Sequence, residues 1–178
     1  MKSIVPDTNW HVITGAPSSG KTSVIRELEG LGYQVVHEVA RAYIEEELKK
    51  GRKLDEIKAD ARTFEQQILE RKIGIETSLP KDAVIIFDRA VPDSIAYYRL
   101  ERLNPAECLE KAKIVRYKTV FLFDRLVFAK DSVRSEDKAI AIKLEHLIAS
   151  SYSMLGYEIL RVPVLSIKQR TELILQRI

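Results

Sequence analysis

The sequence predicts an α/β fold with a five-stranded parallel sheet, and three observations support this prediction. Short apolar runs with β-branched residues alternate with longer segments in which apolar residues recur every three or four positions, as in chains of β-α-β units. The run at residues 83–87 is apolar throughout, as expected for a central strand that helices cover on both faces. A G-x-x-x-x-G-K-T motif at residues 15–22 stands between the first apolar run and the first helical segment.

Each predicted strand is a short apolar run bounded by turn-forming or charged residues. The strands are predicted at residues 10–14, 33–37, 83–87, 119–123 and 157–162. A helix is predicted after the motif, because Val24, Ile25 and Leu28 share one face of a 3.6-residue period. We expect this helix to end near Gly30 and Gly32.

Two helical segments separate the second and third predicted strands. The first begins at Val39 and ends at Gly51, and the second ends at Pro80. We expect the apolar side chains at three- and four-residue spacing to point inward. These are Ala40, Ile44 and Leu48 in the first segment, and Ile57, Ala61, Phe64, Ile68, Ile75 and Leu79 in the second.

Proline and capping residues mark the helices of the C-terminal half. The predicted starts are Pro92 (for a helix through Tyr98), the Asn104-Pro105 pair, Ser135 and the capping box Ser166-x-x-Gln169. The helix after Ser135 carries Ile140, Leu144, Leu147, Ile148 and Leu155 and is expected to end at Gly156. Before it, residues 124–136 are rich in charge without an apolar period and predict an exposed loop, here called the lid segment.

Length, charge and cysteine content limit the classes of protein to which the chain can belong. Its 178 residues predict a single domain over residues 1–178. The net charge of +3, from 29 basic and 26 acidic residues, does not indicate nucleic acid as a partner. The sequence has neither a transmembrane segment nor a signal-like N-terminus, and Cys108 is its only cysteine. These features favour a cytoplasmic protein.

The G-x-x-x-x-G-K-T motif predicts a phosphate-binding loop. Its glycines let successive N–H groups face an anion, and the following helix places its positive end there. Lys21 is expected to reach the β- and γ-phosphates, and Thr22 to place its hydroxyl on Mg²⁺. The residues expected to hold the nucleotide are Gly15, Ala16, Pro17, Ser18, Ser19, Gly20, Lys21, Thr22 and Ser23. The alternative is an ordinary glycine-rich turn between two elements.

Polar residues follow the second and third predicted strands, where ligands bind in open parallel sheets. Glu38 and Arg41 follow the second strand, and Asp88, Arg89 and Asp93 follow the third. Asp88 is the expected carboxylate on the metal side, with a helix cap as the alternative. Arg89 stands where ring ATPases usually place a water-activating glutamate. Its presence therefore favours phosphoryl transfer to an acceptor hydroxyl over hydrolysis.

Three further residues are candidates for the transfer step. Glu38 is expected to accept the proton of the acceptor hydroxyl; the alternative is a solvated acid at a helix start. Arg125 and Arg134 lie in the lid segment, where closure would bring positive charge onto the moving phosphoryl group. Arg134 is the first choice for this role, and Arg125 is a second cation for the nucleotide. The alternative for both is an arginine on a mobile surface loop.

The order of these motifs resembles the nucleotide- and nucleoside-kinase branch of P-loop proteins, such as thymidylate and deoxynucleoside kinases. More closely, HEVARAYIEEEL resembles a segment of the nicotinamide-riboside-kinase domain of NadR. FDRAVPDSIAYYRL and LGYEILRVP resemble a NadR-related family of AAA-labelled ATPases. The resemblance implies a three-layer α/β/α P-loop NTPase fold with strand order 2-3-1-4-5. It also implies ATP or GTP with Mg²⁺, and an acceptor pocket near Glu38, Arg41, Asp88, Arg89 and Asp93.

Three functions are compatible with these patterns. The first is a small-molecule kinase that phosphorylates a nucleoside- or riboside-like acceptor, with Lys21, Glu38 and Arg134 as the catalytic residues. The second is a nucleotide-dependent ATPase or GTPase switch that binds a protein or lipid partner through the lid segment. The third is nucleotide binding for structural reasons only, because a fold does not determine a function.

Overall fold

A computed structural model describes the backbone of residues 7–126 and 135–178, and the side chains of residues 7–126 and 138–178. Its five strands are β1 (Trp10–Thr14), β2 (Gln34–Val36), β3 (Ile85–Asp88), β4 (Thr119–Phe123) and β5 (Ile159–Val162). They form one parallel sheet in the order β2-β3-β1-β4-β5. The predicted fold class and strand order are therefore confirmed.

Eight helices join the strands within these described residues. They are α1 (Lys21–Gly30), α2 (Val39–Lys49), α3 (Leu54–Ile57), α4 (Ala61–Ser78), α5 (Val91–Leu100), α6 (Ala106–Lys111), α7 (Ser135–Met154) and α8 (Ile167–Leu175). Two apolar clusters lie between the sheet and its helices. In one, α5 and α7 pack on one face of the sheet, and in the other, α1 and α8 pack on the opposite face. The sheet is buried on both faces, which explains the continuous apolar sequence of its central strands.

The register of the central strands determines where the candidate site lies. Ile13 in β1 pairs with Asp88 in β3, and Thr14 pairs with Leu122 in β4. The residues after β1 therefore leave the sheet between the carboxyl ends of its two neighbours. This edge is where a parallel α/β sheet binds its ligands.

The segment between β2 and β3 differs from the prediction. The helix expected to carry both Ile57 and Leu79 is two helices, because the Asp60 carboxylate accepts the N–H of Arg62 and begins α4 there. In α2 the prediction that Leu48 points inward is wrong, because this side chain is exposed. The buried residues are Val39, Tyr43 and Glu47, since Glu47 is paired with Lys50 and Arg52.

Several boundaries of strands and helices also differ from the prediction. The third strand begins at Ile85 rather than residue 83 and includes Asp88, whereas the second and fifth strands are shorter than predicted. Helix α6 begins at Ala106, so Pro105 rather than Asn104 occupies the cap position, although the Asn104 side chain still accepts the N–H of Ala106. Ile140 is exposed rather than inward. Within the described parts of the chain, no helix combines the length and apolar composition needed to cross a bilayer.

Candidate active site

The residues between β1 and α1 form a tight loop that depends on its glycines. Gly15 has φ +141°, and a Cβ there would lie 2.7 Å from the Phe123 carbonyl oxygen. Gly20 precedes α1 in the left-handed conformation, with φ +81°. Ser18 also has a positive φ, of +60°. These conformations turn the loop around the N-terminus of α1, the geometry that binds anions in parallel α/β proteins.

Lys21 is folded back onto this loop. Its Nζ donates to the carbonyl oxygens of Gly15 and Ala16 and to Ser19 Oγ, each at 3.0 Å. Burial, and then the charge of Arg89, lowers the pKa of Lys21 to about 7. A polyanion in the loop would counter both effects, because negative charge beside an ammonium favours its protonated form.

Arg170, on α8, supports the loop from behind. Its side chain is almost fully buried, and Nη1 donates to the Ser19 carbonyl oxygen. Its Nε donates to the Pro163 carbonyl oxygen at 2.8 Å, and the guanidinium lies 5.0 Å from the centre of the Phe123 ring. The loop is thereby tied to the end of β4 and to the segment after β5.

Asp88 is the last residue of β3 and is buried beside the loop. Its Oδ1 has no hydrogen-bond partner within the described residues. Burial, and then the charge of Glu38, raises the pKa of Asp88 to about 6. Helix α5 begins only after Ala90, so Asp88 does not cap it. An unpartnered buried carboxylate oxygen suits a cation, so this position fits the metal-side role.

Thr22 lies in the first turn of α1 and is partly exposed. Among the described residues there is no group of three or more His, Cys, Asp or Glu side chains arranged to hold a metal ion. Mg²⁺ usually keeps several waters and is held by one or two protein ligands together with the phosphates of a nucleotide, so Thr22 and Asp88 are the residues that could hold it here.

Glu38, Arg89 and Asp93 form a continuous ion-pair network beside the loop. Arg89 Nε donates to Glu38 Oε1 at 3.0 Å, and Nη1 lies 3.5 Å from Asp93 Oδ1. Arg89 has a positive φ of +66° and lies over the ring of Tyr97 at 5.4 Å. Arg41 Nη2 lies 4.0 Å from the other oxygen of Glu38. A strained, buried arginine held by two acids is typical of a functional site.

Asp93 is fully buried, and other protein groups engage both of its oxygens. It accepts the N–H of Ala90 at 2.9 Å, the hydroxyl of Tyr152 at 2.6 Å and the hydroxyl of Thr14. The acceptor pocket was predicted to include Asp93, but the structure places this residue behind Arg89. It therefore orients the guanidinium and the start of α5 rather than facing the open site.

Two cavities open on either side of this network. One, of about 480 Å³, lies over the loop and includes Leu126 in its wall. The other, of about 730 Å³, lies between α2, α4 and α5, in the size range of small-molecule sites. Both cavities are lined by Pro17, Glu38, Arg41, Arg89 and Tyr97. The loop and the larger cavity thus adjoin along these five residues, of which Glu38 is the one carboxylate.

The lid segment is described only in part. Arg125 follows β4 and is half-buried, one residue before Leu126, whose N–H lies 3.3 Å from the Ser18 carbonyl oxygen. Arg134 lies outside the described residues. Ser23 is exposed on α1, whereas Ala16 and Ser19 are buried within the loop.

Three buried charged residues near the site were not among the predicted site residues: Arg170, Glu65 and Lys72. Glu65 and Lys72 line the larger cavity from α4. Each lies at an inward position of α4 beside the buried Ile68 and Leu69, and this break in the apolar pattern was the available signal. For Arg170 no local pattern existed, because its partner Ser19 is 151 positions away.

Comparisons with known proteins identify the family and the fold of the chain. A sequence model of the AAA_28 family, described as an AAA domain, matches residues 10–170. No curated protein matches the chain in sequence. Many solved structures do share its fold.

Thymidylate kinase from Ehrlichia chaffeensis superposes with a TM-score of 0.67 at 14% identity, covering 96% of this chain and 98% of that one. Deoxyadenosine kinase from M. mycoides, with products dCMP and a flexible dCDP bound, gives 0.62 at 18% identity, covering 94% and 96%. The NadR protein in complex with NR gives 0.67 at 15% identity; 96% of this chain matches 50% of that one. At these identities the similarity establishes the fold, which is that of P-loop nucleoside and nucleotide kinases.

Proposed function

This chain belongs to the AAA_28 family of AAA domains, and from that premise we propose that it is a small-molecule kinase. It transfers the γ-phosphoryl group of ATP, bound with Mg²⁺, to a hydroxyl of a nucleoside- or riboside-like acceptor. The observation that carries the proposal is the junction of two cavities at Glu38. A nucleotide in the loop and an acceptor in the larger cavity would present their reacting groups to each other there.

The loop residues hold the nucleotide. Backbone N–H groups of the loop, from its residues other than Pro17, surround the phosphates, and Lys21 turns from the loop carbonyls to the β- and γ-phosphates. GTP would be held by the same contacts. Mg²⁺, when bound, neutralises charge on these phosphates. Thr22 and Asp88 are the residues that would hold it, the first by its hydroxyl and the second by its unpartnered Oδ1.

Glu38 is the proposed general base. Its Oε1 is already held by Arg89 and its Oε2 faces Arg41 at 4.0 Å, so the carboxylate is oriented before the acceptor binds. Asp93 fixes Arg89 from behind. The residue after Asp88 is Arg89, where ring ATPases usually place a water-activating glutamate. This favours transfer to a bound hydroxyl over hydrolysis.

The lid segment would complete the site. Arg125 and Arg134 are proposed to approach the phosphoryl group when the acceptor and nucleotide are both bound. Positive charge at that position stabilises the equatorial oxygens as the bond to the leaving group breaks. The small-molecule acceptor and the nucleotide are then the two partners that the site requires.

A phosphoryl-transfer assay with Glu38→Gln tests this function. Purified protein is incubated with ATP, Mg²⁺ and a panel of nucleosides and ribosides, and phosphorylated product is measured by mass spectrometry. We expect product with the unaltered protein, and a kcat lowered about 100-fold or more in Glu38→Gln, the usual contribution of a general base. Glu158→Gln is the matched control, because Glu158 is exposed and precedes β5 at the opposite edge of the sheet.

The contrary result is equally clear. If no acceptor is phosphorylated while slow ATP hydrolysis proceeds unchanged in Glu38→Gln, the protein is not a kinase of this kind. Partner binding that differs between ATP and ADP would then favour a nucleotide-dependent switch.

A further inference from the structure

Glu65 is a buried carboxylate in the wall of the larger cavity. It lies on the inward face of α4 and is 7% exposed. Lys72 follows two helical turns later on the same face and lines the same cavity. Charged residues are rarely buried unless they are paired, so each of these side chains needs a partner.

The two residues differ in the hydrogen bonds that the protein provides to their charged groups. Lys72 Nζ donates to the Ala90 carbonyl oxygen at 3.0 Å and to Ser94 Oγ at 3.1 Å, and so supports the start of α5. No hydrogen bond from the part of the chain that the structure describes reaches the Glu65 carboxylate. Burial raises the pKa of Glu65 to about 7. A buried carboxylate that faces a cavity without a donor can be satisfied by a ligand.

Part of the cavity wall is apolar and aromatic and is suited to a flat ring, although charged side chains such as Lys58 and Glu101 also line the cavity. Ile44, Phe64, Ile68 and Leu100 supply apolar surface, and Tyr97 supplies a second aromatic ring. Small-molecule sites combine such walls with a few polar groups that set orientation. Glu38 lies at the mouth shared with the loop, and Glu65 is the buried acid of the interior.

We propose that Glu65 selects the acceptor by accepting hydrogen bonds from the N–H groups of an amino-substituted nitrogen heterocycle. The acceptor is then a nucleoside-like molecule whose ring lies between the apolar walls and whose hydroxyl lies near Glu38. This inference rests on the proposed function, because it takes the larger cavity as the acceptor site. It adds the chemical class of the acceptor and the residue that recognises it.

Paired nucleosides that differ by one amino group test the inference. Adenosine is compared with purine riboside, and cytidine with pyrimidin-2-one riboside, by calorimetric binding to the full chain with a non-hydrolysable ATP analogue and Mg²⁺. We expect at least one amino-bearing member to bind roughly tenfold or more tightly than its partner, the usual effect of a hydrogen bond to a charged group.

Variants assign that preference to one side chain. Glu65→Leu removes the acceptor oxygens and should abolish the preference. Glu65→Gln keeps one oxygen and should retain part of it. Glu70→Gln is the matched control, because Glu70 lies on the exposed face of the same helix, where its carboxylate accepts from Gln66. It should retain the full preference.

The outcomes separate this inference from the proposed function. Equal binding within both pairs, binding of neither member, or a preference that survives in Glu65→Leu overturns the role of Glu65. Phosphorylation of an acceptor alongside any of these results leaves the kinase function standing. A preference that Glu65→Leu abolishes, without product from any acceptor, supports the role of Glu65 and removes the kinase function.

Discussion

Ionisable side chains with displaced pKa values surround the loop and the larger cavity. Burial lowers the pKa of Lys21 and raises those of Asp88 and Glu65. Such displacements cluster where charged ligands or proton transfers are accommodated. Glu76 is a different case, because it lies behind α5 and its carboxylate is satisfied by the protein. Tyr117 Oη donates a hydrogen bond to Glu76 Oε1 at 2.7 Å, and the N–H of Val91 donates to the same oxygen at 3.2 Å. The raised pKa of Glu76 therefore affects the stability of the fold rather than the chemistry of the candidate site.

Glu76 should make the stability of the protein depend on pH. Burial raises its pKa to about 7 from an ordinary 4.5, so between these values the folded state binds a proton that the unfolded state has lost. The free energy of unfolding should therefore fall as pH rises from 4.5 to 7, by at most about 3 kcal/mol from this residue.

Urea unfolding of the unaltered protein and Glu76→Gln at pH 5, 6, 7 and 8 measures this contribution. The amide keeps an acceptor for Tyr117 but does not titrate. As pH rises, the free energy of unfolding of Glu76→Gln should increase relative to that of the unaltered protein. A difference that is constant with pH would show that Glu76 is ionised in the folded state.

The loop after β1 takes its shape from neighbouring elements as much as from its own residues. The end of β4 lies against Gly15, and α8 reaches Ser19 through Arg170. The Asp93 carboxylate at the start of α5 accepts from Thr14 at the end of β1. Because these contacts join four elements, a change in one of them should alter nucleotide affinity without touching the nucleotide.

Arg170→Met should weaken nucleotide binding in a folded protein. The change removes the hydrogen bonds to Ser19 and Pro163, and we expect about tenfold lower affinity for ATP with Mg²⁺, with Arg170→Lys in between. Calorimetry measures the affinity, and Arg177→Met is the control, because Arg177 is exposed after α8. Unchanged affinity in Arg170→Met would mean that the loop holds its shape without α8.

Two glycines should respond to alanine in opposite ways. In Gly15→Ala the new Cβ would meet the Phe123 carbonyl oxygen at 2.7 Å in a left-handed backbone, so we expect a loss of about 1–3 kcal/mol. Gly74 lies on the exposed side of α4 with no atom within 4 Å of an added Cβ. Gly74→Ala should stabilise the protein by about 0.5–1 kcal/mol. Urea unfolding compares them, and a neutral Gly15→Ala would contradict the close approach.

The residues that the structure describes form one sheet with a helical layer on each face, and the candidate site lies at the carboxyl ends of its strands. The parallel arrangement brings the loop after β1, Glu38 after β2 and Asp88 at the end of β3 to the same edge. Helices α2, α4 and α5 then enclose the larger cavity beside them. Ligands that bind only this folded arrangement must stabilise it by mass action.

ATP with Mg²⁺ should therefore raise the thermal unfolding midpoint. At a ligand concentration of 100 times Kd the expected gain is about 2.7 kcal/mol. Chelation by EDTA should remove much of it, and Lys21→Ala should abolish it at the same concentration. Differential scanning calorimetry provides the measurement. A midpoint that does not move with nucleotide at millimolar concentration would contradict nucleotide binding at the loop.

Short-range patterns in the chain were sufficient to locate the strands and the loop after β1. Apolar periodicity located all five strands, and the motif at residues 15–22 located the phosphate loop, because both depend on residues within a few positions of one another. The order of the strands came from the resemblance to P-loop kinases. The same local reasoning failed for the inward face of α2, where Glu47 is buried with its ion-pair partners.

Contacts between distant residues could be known only once the chain had folded. Asp93 is withdrawn from the open site by Thr14 and Tyr152, which lie 79 and 59 positions away. Glu65 faces the cavity because α4 packs against α2 and α5 there. Periodicity and turn chemistry carry no information on such pairings, since these arise from the packing of whole elements. The motifs of the sequence therefore predicted which chemical groups a candidate site could contain, whereas packing determines which of those residues a ligand can reach.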